Sequence, residues 1–343
     1  MTTRPRLTPA IADVRSAVRA ALPAFPELVE GPELVEGRAA TPLVLVALSG
    51  GPDSLALAAA TAFEAKRVGI RAGAVIVDHA LQDGSADVAA RAAQQAHELG
   101  LDPVLLRSVA VGTAGGPEAA AREARYAALA DAATETAATT VFLGHTLDDQ
   151  AESVLLGLGR GSGLGSIKGM APKSGIYARP LLRLRRQTTL QFCIDSGLEA
   201  WTDPQNADER FTRVRVRSTV LPMLERELGP GFAEALFRTA VLAREDTEAL
   251  DGFAEDQLEE LAEHAEAGIS LPVTALAANP PALRQRIIRM TVLAEFGVSL
   301  SRTHTLEVSK LVIDWHGQEA IDLPGIKVER QGGLLIFGST GKA

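Results

Sequence analysis

With 343 residues, 46% of them hydrophobic and 22% charged, the chain is long enough for two or three domains and has an ordinary soluble composition. No apolar run reaches the length that spans a bilayer, and the start MTTRPRLTPA lacks a signal-peptide core, so no membrane association is expected and the cytoplasm is the expected compartment. A single cysteine, Cys193, excludes an internal disulfide and a cysteine zinc cluster, and a formal charge of −9 argues against a uniformly basic nucleic-acid binder.

In chain order, an Ala/Val-rich helix is expected near 11–22, then a direct repeat, PELVEG at 26–31 and 32–37, whose Pro and Gly boundaries mark an exposed loop. From Leu43 short β-rich runs alternate with Ala-rich helical stretches: strands at 43–48, 72–77, 103–106 and 140–143, helices at 54–65, 86–99, 118–136 and from about Asp149. Strands separated by helices of this length imply right-handed crossovers and an α/β fold with a parallel sheet. Ligands then sit beyond the carboxyl ends of the strands. Past Gly229 the texture changes to long helices, 232–264, 281–296 and 303–314, and short strands at 321–323, 326–330 and 334–337, a smaller, mainly helical α+β unit. The expected division is 1–41 for the leading helix and repeat loop, 42–228 for the α/β domain and 229–343 for the C-terminal domain.

The residues that leave the strands carry the chemistry. After 43–48 the chain reads Ser49-Gly50-Gly51-Pro52-Asp53-Ser54. Two glycines permit a sharp turn that presents backbone N–H groups, the following helix adds its N-terminal partial charge, and Ser49 and Ser54 add hydroxyls, which together make an anion cradle. The loop lacks the lysine and spacing of a Walker A motif, so Asp53 is expected to ligate a Mg²⁺ that bridges phosphate oxygens. After 140–143 comes His145-x-x-Asp148-Asp149-x-x-Glu152, which sets Asp149 and Glu152 one turn apart on a helix face where two carboxylates can hold a divalent ion. Helix capping by these acids is the bland alternative.

Positive charge is segregated. Between Arg160 and Arg226 there are twelve Lys/Arg against six Asp/Glu, a local +6 that leaves −15 for the remainder, as a polyanion-binding groove would need. Arg122 and Arg125 share a helix face, Arg160 opens the glycine-rich stretch 160–165 with Lys168 behind it, and Arg213, Arg215 and Arg217 alternate at period two as candidate phosphate ligands.

SGGPDS resembles the pyrophosphate loop of the N-type ATP pyrophosphatases, and the chain resembles the tRNA(Ile)-lysidine synthetase family along most of its length. The matching stretches are VDHALQDGSADVA (77–89), AAREARYAAL (120–129), GHTLDDQAESVLL (144–156), RGSGLGSIKGM (160–170), ARPLL (178–182) and WTDPQNADERFTRVRVRSTVLPML (201–224). The resemblance implies an ATP- and Mg²⁺-dependent enzyme that adenylates C2 of the wobble cytidine of an isoleucine tRNA with a CAU anticodon, after which L-lysine displaces AMP. It implies ATP contacts from Ser49, Gly50, Gly51, Pro52, Asp53, Ser54, Val77, His79, Arg122 and Gly144. It further implies metal or catalytic roles for Asp53, Asp149 and Glu152, a place near the nucleotide for His145, and tRNA contacts from Arg160, Lys168, Arg179, Arg213, Arg215 and Arg217. Since lysine must lose a proton before its amine attacks and a neutral imidazole can take one, His145 is the expected proton acceptor.

Two departures are visible: Gln82 stands where the family often has arginine, and Val214 where it has asparagine. Arg284, Arg286 and Arg289 match the family's first C-terminal domain, which helps hold tRNA; the second domain of the longest members is expected to be absent. Homodimerisation is left open. The alternatives are another enzyme of the same loop class, either a tRNA thiolase, which a lone cysteine disfavours, or an amide-forming ligase, and a non-catalytic nucleotide binder.

Overall fold

A computed structural model of the chain describes residues 7–22, 41–79, 84–110, 112, 116–161, 163–203, 208–265 and 268–340. The PELVEG repeat and Gln82 lie outside the described residues. The chain divides into two units, Met1–Val241 and Leu242–Ala343.

The first unit is built on a six-stranded sheet. Its strands are β1 (Leu43–Ala47), β2 (Arg71–Asp78), β3 (Val104–Ser108), β4 (Thr140–Phe142), β5 (Lys173–Ser174) and β6 (Tyr177–Ala178), in the order β3-β2-β1-β4-β6-β5. All neighbours are parallel except β5 and β6, a two-residue hairpin that turns the edge antiparallel. Strand β1 is buried at all five positions. It reads as a continuous apolar run because both of its faces are covered. Val44 and Val46 face a core with Leu55, Leu57 and Ala58 of α2 (Pro52–Val68) and with Val14 and Val18 of α1 (Pro9–Ala21). Leu43, Leu45 and Ala47 face the other core, with Leu129, Ala132 and Ala133 of α4 (Pro117–Thr136). Helix α3 (Ser85–Glu98) packs Ala89, Ala92 and Ala96 into the first core.

The strand order places the site. The chain leaves β1 toward β2 on one side, while β4 adds on the other, so the crevice of the sheet opens at the carboxyl ends of β1 and β4. The loop 48–54 and the start of α5 (Leu147–Gly159) lie there. Helices α6 (Leu164–Ile167), α7 (Arg186–Asp195), α8 (Thr212–Arg215) and α9 (Leu221–Leu228) follow, with a π-helical turn at Val216–Val220 between α8 and α9.

The second unit carries a five-stranded antiparallel sheet, order β7-β8-β11-β10-β9, from β7 (Glu263–Ala265), β8 (Gly268–Pro272), β9 (Ile321–Leu323), β10 (Ile326–Gln331) and β11 (Leu334–Ser339). Leu271, Val328, Leu335 and Phe337 pack against Ile287 and Ile288 of α12 (Pro281–Phe296) and Val308 of α13 (Arg302–Ile313). The short α11 (Val273–Ala278) precedes them. Helical periodicity suggests one helix to residue 264, but α10 (Phe232–Leu261) stops earlier, because 263–265 pair with β8 and sheet hydrogen bonds outweigh local helix propensity. Arg284 is buried, donating to Ser309 Oγ at 3.1 Å and to the Asn279 carbonyl at 3.0 Å, so it is spent on internal acceptors. Arg286 pairs with Asp251 at 2.8 Å.

Candidate active site

The loop after β1 is tied into one shape. Gly50 adopts a positive φ of 81°, and its carbonyl accepts from the Trp201 N–H at 2.9 Å. The Ser49 N–H donates to Ser54 Oγ at 3.1 Å, and that hydroxyl donates to the Gly51 carbonyl at 3.0 Å. Gly51 caps α2 without a side-chain bond, and Pro52 fits the first helical turn, where its missing N–H costs nothing. Asp53 is therefore not a cap. Its carboxylate accepts from Arg186 Nε at 3.2 Å and from the Thr189 hydroxyl, both on α7.

Asp149 divides its two oxygens. Oδ2 completes a capping box at the start of α5, accepting from the Thr146 N–H and hydroxyl, each at 2.8 Å. Oδ1 accepts from Arg186 Nη2 at 2.7 Å and from Arg217 Nη2 at 3.4 Å. Asp148 points elsewhere, taking the Arg186 backbone N–H at 2.7 Å and the Arg185 guanidinium at 3.2 Å. Glu152 has no exposed surface; Arg217 Nε lies 2.7 Å away, Arg213 Nε 3.2 Å and Arg186 Nη1 3.4 Å.

Burial raises the pKa of Asp53 despite Arg186 and Thr189. At Asp149 burial acts the same way, but Arg186, the Thr146 hydrogen bonds and His145 outweigh it and hold the carboxyl below its ordinary range. His145 is pushed down to about 3, first by burial and then, against Asp149, by the positive charges of Arg125, Arg179 and Arg122. Its imidazole is thus neutral but a weak base, a poor match for a proton acceptor working near pH 7.

These groups open on one cavity of about 490 Å³. Of the residues expected from sequence, Ser49, Gly51, Pro52, Asp53, Ser54, Arg122, Gly144, His145, Asp149, Arg213 and Arg217 line it. Gly50 and Glu152 stand behind that lining, each held by a residue that does line it: Trp201 for Gly50, and Arg186, Arg213 and Arg217 for Glu152. Val77 packs in the second core, and His79 follows β2 with a buried Nδ1 that has no hydrogen-bond partner among the described residues. Arg179 is buried, donating to the Ala171 carbonyl at 2.8 Å, and with Arg122 lines a neighbouring cavity of about 500 Å³.

The structure does not bring Arg160, Lys168 or Arg215 to the cavity lining. The arginines spaced two apart lie on helical turns, where 213 and 217, four apart, share a face and 215 turns away to donate to the Arg210 carbonyl at 3.0 Å. Arg125, singled out with Arg122 on one helix face, also lines the cavity, whereas Arg186, Leu190, Trp201 and Thr202 line it without having been singled out in the sequence. For Arg186 a signal existed: Arg185-Arg186 place two cations at the N-terminus of α7, where the helix dipole disfavours them.

Gly144 lets the two loops meet. A Cβ there would lie 3.1 Å from Ser54 Cα and N and 3.2 Å from the Asp53 carbonyl carbon, all backbone at the start of α2. Gly144→Ala is expected to shift that turn by a few tenths of an ångström and to lower turnover about tenfold. Steady-state kinetics alongside a melting curve would check this; unchanged turnover would mean the two loops have slack.

A family model described as a PP-loop domain matches residues 31–224, and one described as a TilS substrate binding domain matches 271–335. Among curated proteins, the chain is 63% identical to a tRNA(Ile)-lysidine synthase of Leifsonia xyli over 296 residues, 86% of this chain and 89% of that one. It is 51% identical to that of Streptomyces coelicolor, covering 89% and 88%, and 49% identical to that of Thermobifida fusca, covering 94% and 95%. Among solved structures, the U34-tRNA thiolase NcsA from Methanococcus maripaludis with its [4Fe-4S] cluster has a similar fold, with TM-score 0.53 at 20% identity, over 67% of this chain and 78% of that one.

Proposed function

The chain belongs to the tRNA(Ile)-lysidine synthase family, and from that premise we propose that it joins L-lysine to C2 of the wobble cytidine of an isoleucine tRNA with a CAU anticodon at the expense of ATP. The observation that carries this reading is the convergence of the 49–54 loop and the acidic start of α5 on one arginine-lined cavity at the sheet's switch point.

The triphosphate is held against the Ser49 and Ser54 hydroxyls and the N–H groups at the start of α2, with Arg122 and Arg125 in the same lining. O2 of the cytidine attacks the α-phosphorus and pyrophosphate leaves. The neutral ε-amine of lysine then attacks C2, AMP departs with the former O2, and the amine loses a proton. Incoming phosphate charge offsets the arginines around His145 and raises the basicity of its imidazole, which fits it to receive that proton only in the loaded cavity.

The acids of the site are hard oxygen donors of the kind Mg²⁺ takes. Among the described residues no three His, Cys, Asp or Glu side chains stand in a metal-holding arrangement, since the carboxylates are disposed around guanidinium groups. Asp53 and Asp149, with Glu152 behind them, would hold the ion, which when bound neutralises phosphate charge and stabilises the leaving pyrophosphate.

Cys193 does not suit sulfur transfer. Its thiol is buried, donates to the Pro52 carbonyl at 3.4 Å and is pushed up to about 12 by burial and by Asp53. Among the described residues no helix is long and apolar enough to cross a membrane; the cytoplasm, which supplies tRNA and ATP, is the proposed compartment.

The test is incubation with ATP, MgCl₂, labelled lysine and CAU-bearing isoleucine tRNA, leaving out one component at a time. Labelled tRNA is expected only in the complete mixture, together with pyrophosphate. Labelling without ATP, or no labelling in the complete mixture, would overturn the reading.

A further inference from the structure

Arg186 uses each of its three guanidinium nitrogens on a different carboxylate. Nε faces Asp53 Oδ2 at 3.2 Å, Nη2 faces Asp149 Oδ1 at 2.7 Å, and Nη1 faces Glu152 Oε1 at 3.4 Å. The residue is the first of α7, and its own backbone N–H is fixed by Asp148. The guanidinium therefore sits at the focus of acids that come from two separate strand ends. It also lines the nucleotide cavity, with a fifth of its side-chain surface exposed.

Three carboxylates, Asp53, Asp149 and Glu152, are matched by three guanidinium groups, Arg186, Arg213 and Arg217. Before nucleotide binds, this constellation is already neutral. A free divalent cation arriving at the same focus would meet a resident positive charge and leave a surplus in a site where water screens poorly. A triphosphate removes that obstacle, because its own negative charge takes up both the ion and the guanidinium.

We propose that Arg186 is the resident counter-cation of the acidic constellation and a positioning residue for the reaction: it excludes a free divalent ion from the nucleotide-free protein. When the triphosphate enters, Arg186 turns from Asp53 and Asp149 to the phosphates. Glu152 stays held by Arg213 and Arg217, so the carboxylates released to the ion are Asp53 and, apart from its longer 3.4 Å contact with Arg217, Asp149. The ion thus enters with the nucleotide and not before it. This rests on the reading of the cavity as a nucleotide site, but its test needs neither tRNA nor lysine, so it can fail or stand independently of lysidine formation.

The probe is Mn²⁺, followed by electron paramagnetic resonance with the full-length, metal-stripped protein. Wild type is expected to bind Mn²⁺ weakly without nucleotide and at least about tenfold more tightly with a non-cleavable ATP analogue, beyond the affinity of Mn²⁺ for the analogue itself. Arg186→Met is expected to bind nucleotide-free Mn²⁺ at least about tenfold more tightly than wild type, and Arg186→Lys to restore weak binding, since one ammonium keeps the charge. Equal nucleotide-free affinities in wild type and Arg186→Met would overturn the proposal. Should the methionine variant not fold, the wild-type titration decides: tight Mn²⁺ binding without nucleotide overturns it, and binding that appears only with the analogue supports it.

Discussion

Asp149→Asn is expected to lower lysine incorporation by about three orders of magnitude while the protein stays folded, the size of loss seen when one preorganised electrostatic group is removed from a site. The substitution separates the two jobs of this side chain. An amide oxygen can still accept the Thr146 N–H, so the capping box at the head of α5 is weakened and not lost, at about 0.5–2 kcal/mol. Nothing in an amide replaces the negative charge of Oδ1 toward Arg186 and Arg217. Those guanidinium groups then share Asp53 and Glu152 alone, and the cation balance on which the phosphates are placed is gone. Pyrophosphate release should fall together with lysine incorporation, since the loss precedes the adenylated intermediate. Circular dichroism and a melting curve serve as the folding control. A variant that retains even a tenth of wild-type turnover would remove Asp149 from the chemistry.

How much of this was legible in the sequence depends on how local each feature is. The 49–54 loop and the acidic helix could be read because each follows directly on an apolar strand, and strand order in α/β sheets fixes where such segments gather. That Asp53 answers to Arg186 and Thr189, 133 and 136 residues away, follows only from the packing of α7 on α2. No spacing in the chain encodes it. The arginines at 213, 215 and 217 show the opposite hazard. Their alternation looks like a set of three, but a helical path, with Arg217 in the π-helical turn at 216–220, keeps 213 and 217 together and sends 215 outward. The short β5–β6 hairpin and the β7–β8 pairing carry too few residues to give a period, so tertiary pairing alone defines them.

Charge follows the same rule of place over sum. An overall −9 coexists with Arg122, Arg125, Arg186, Arg213 and Arg217 in the lining of one cavity. The global figure describes solubility, whereas the local field decides what binds. Within that field every carboxylate of the site is already paired, which is why acidic residues and a polyanionic substrate can share one pocket.

Glu64→Ala should produce the converse of Asp149→Asn, a large loss of stability with chemistry per folded molecule preserved. Glu64 lies in α2 with no exposed surface, and Arg15 Nε at 2.7 Å and Arg19 Nε at 2.8 Å reach it from α1, with Arg67 at 3.7 Å. Burial alone would raise its pKa, yet the hydrogen bonds from Arg19 and Arg15 outweigh it and hold the carboxyl below its ordinary range. Removing one partner of a buried pair costs about 3–5 kcal/mol; here the arginines can turn to water, so about 2–3 kcal/mol is expected, a melting point lower by roughly 5–10 °C. Because the folded-state pKa is depressed, the stabilisation is fully present above the ordinary glutamate range and is lost as pH falls through the folded value. The gap between wild type and variant should therefore be constant from about pH 6 to 8 and close on acidification, when wild-type Glu64 takes up its proton. A gap that stays open in acid would assign the loss to packing at α1–α2 and not to charge. Although Glu64 sits on the same helix that begins with Pro52 and Asp53, lysine incorporation below the melting range should be unchanged, because the turn at the head of α2 is held from the α7 side by Thr189 and Arg186; a loss of incorporation there would show that the anchorage of α1 holds it as well.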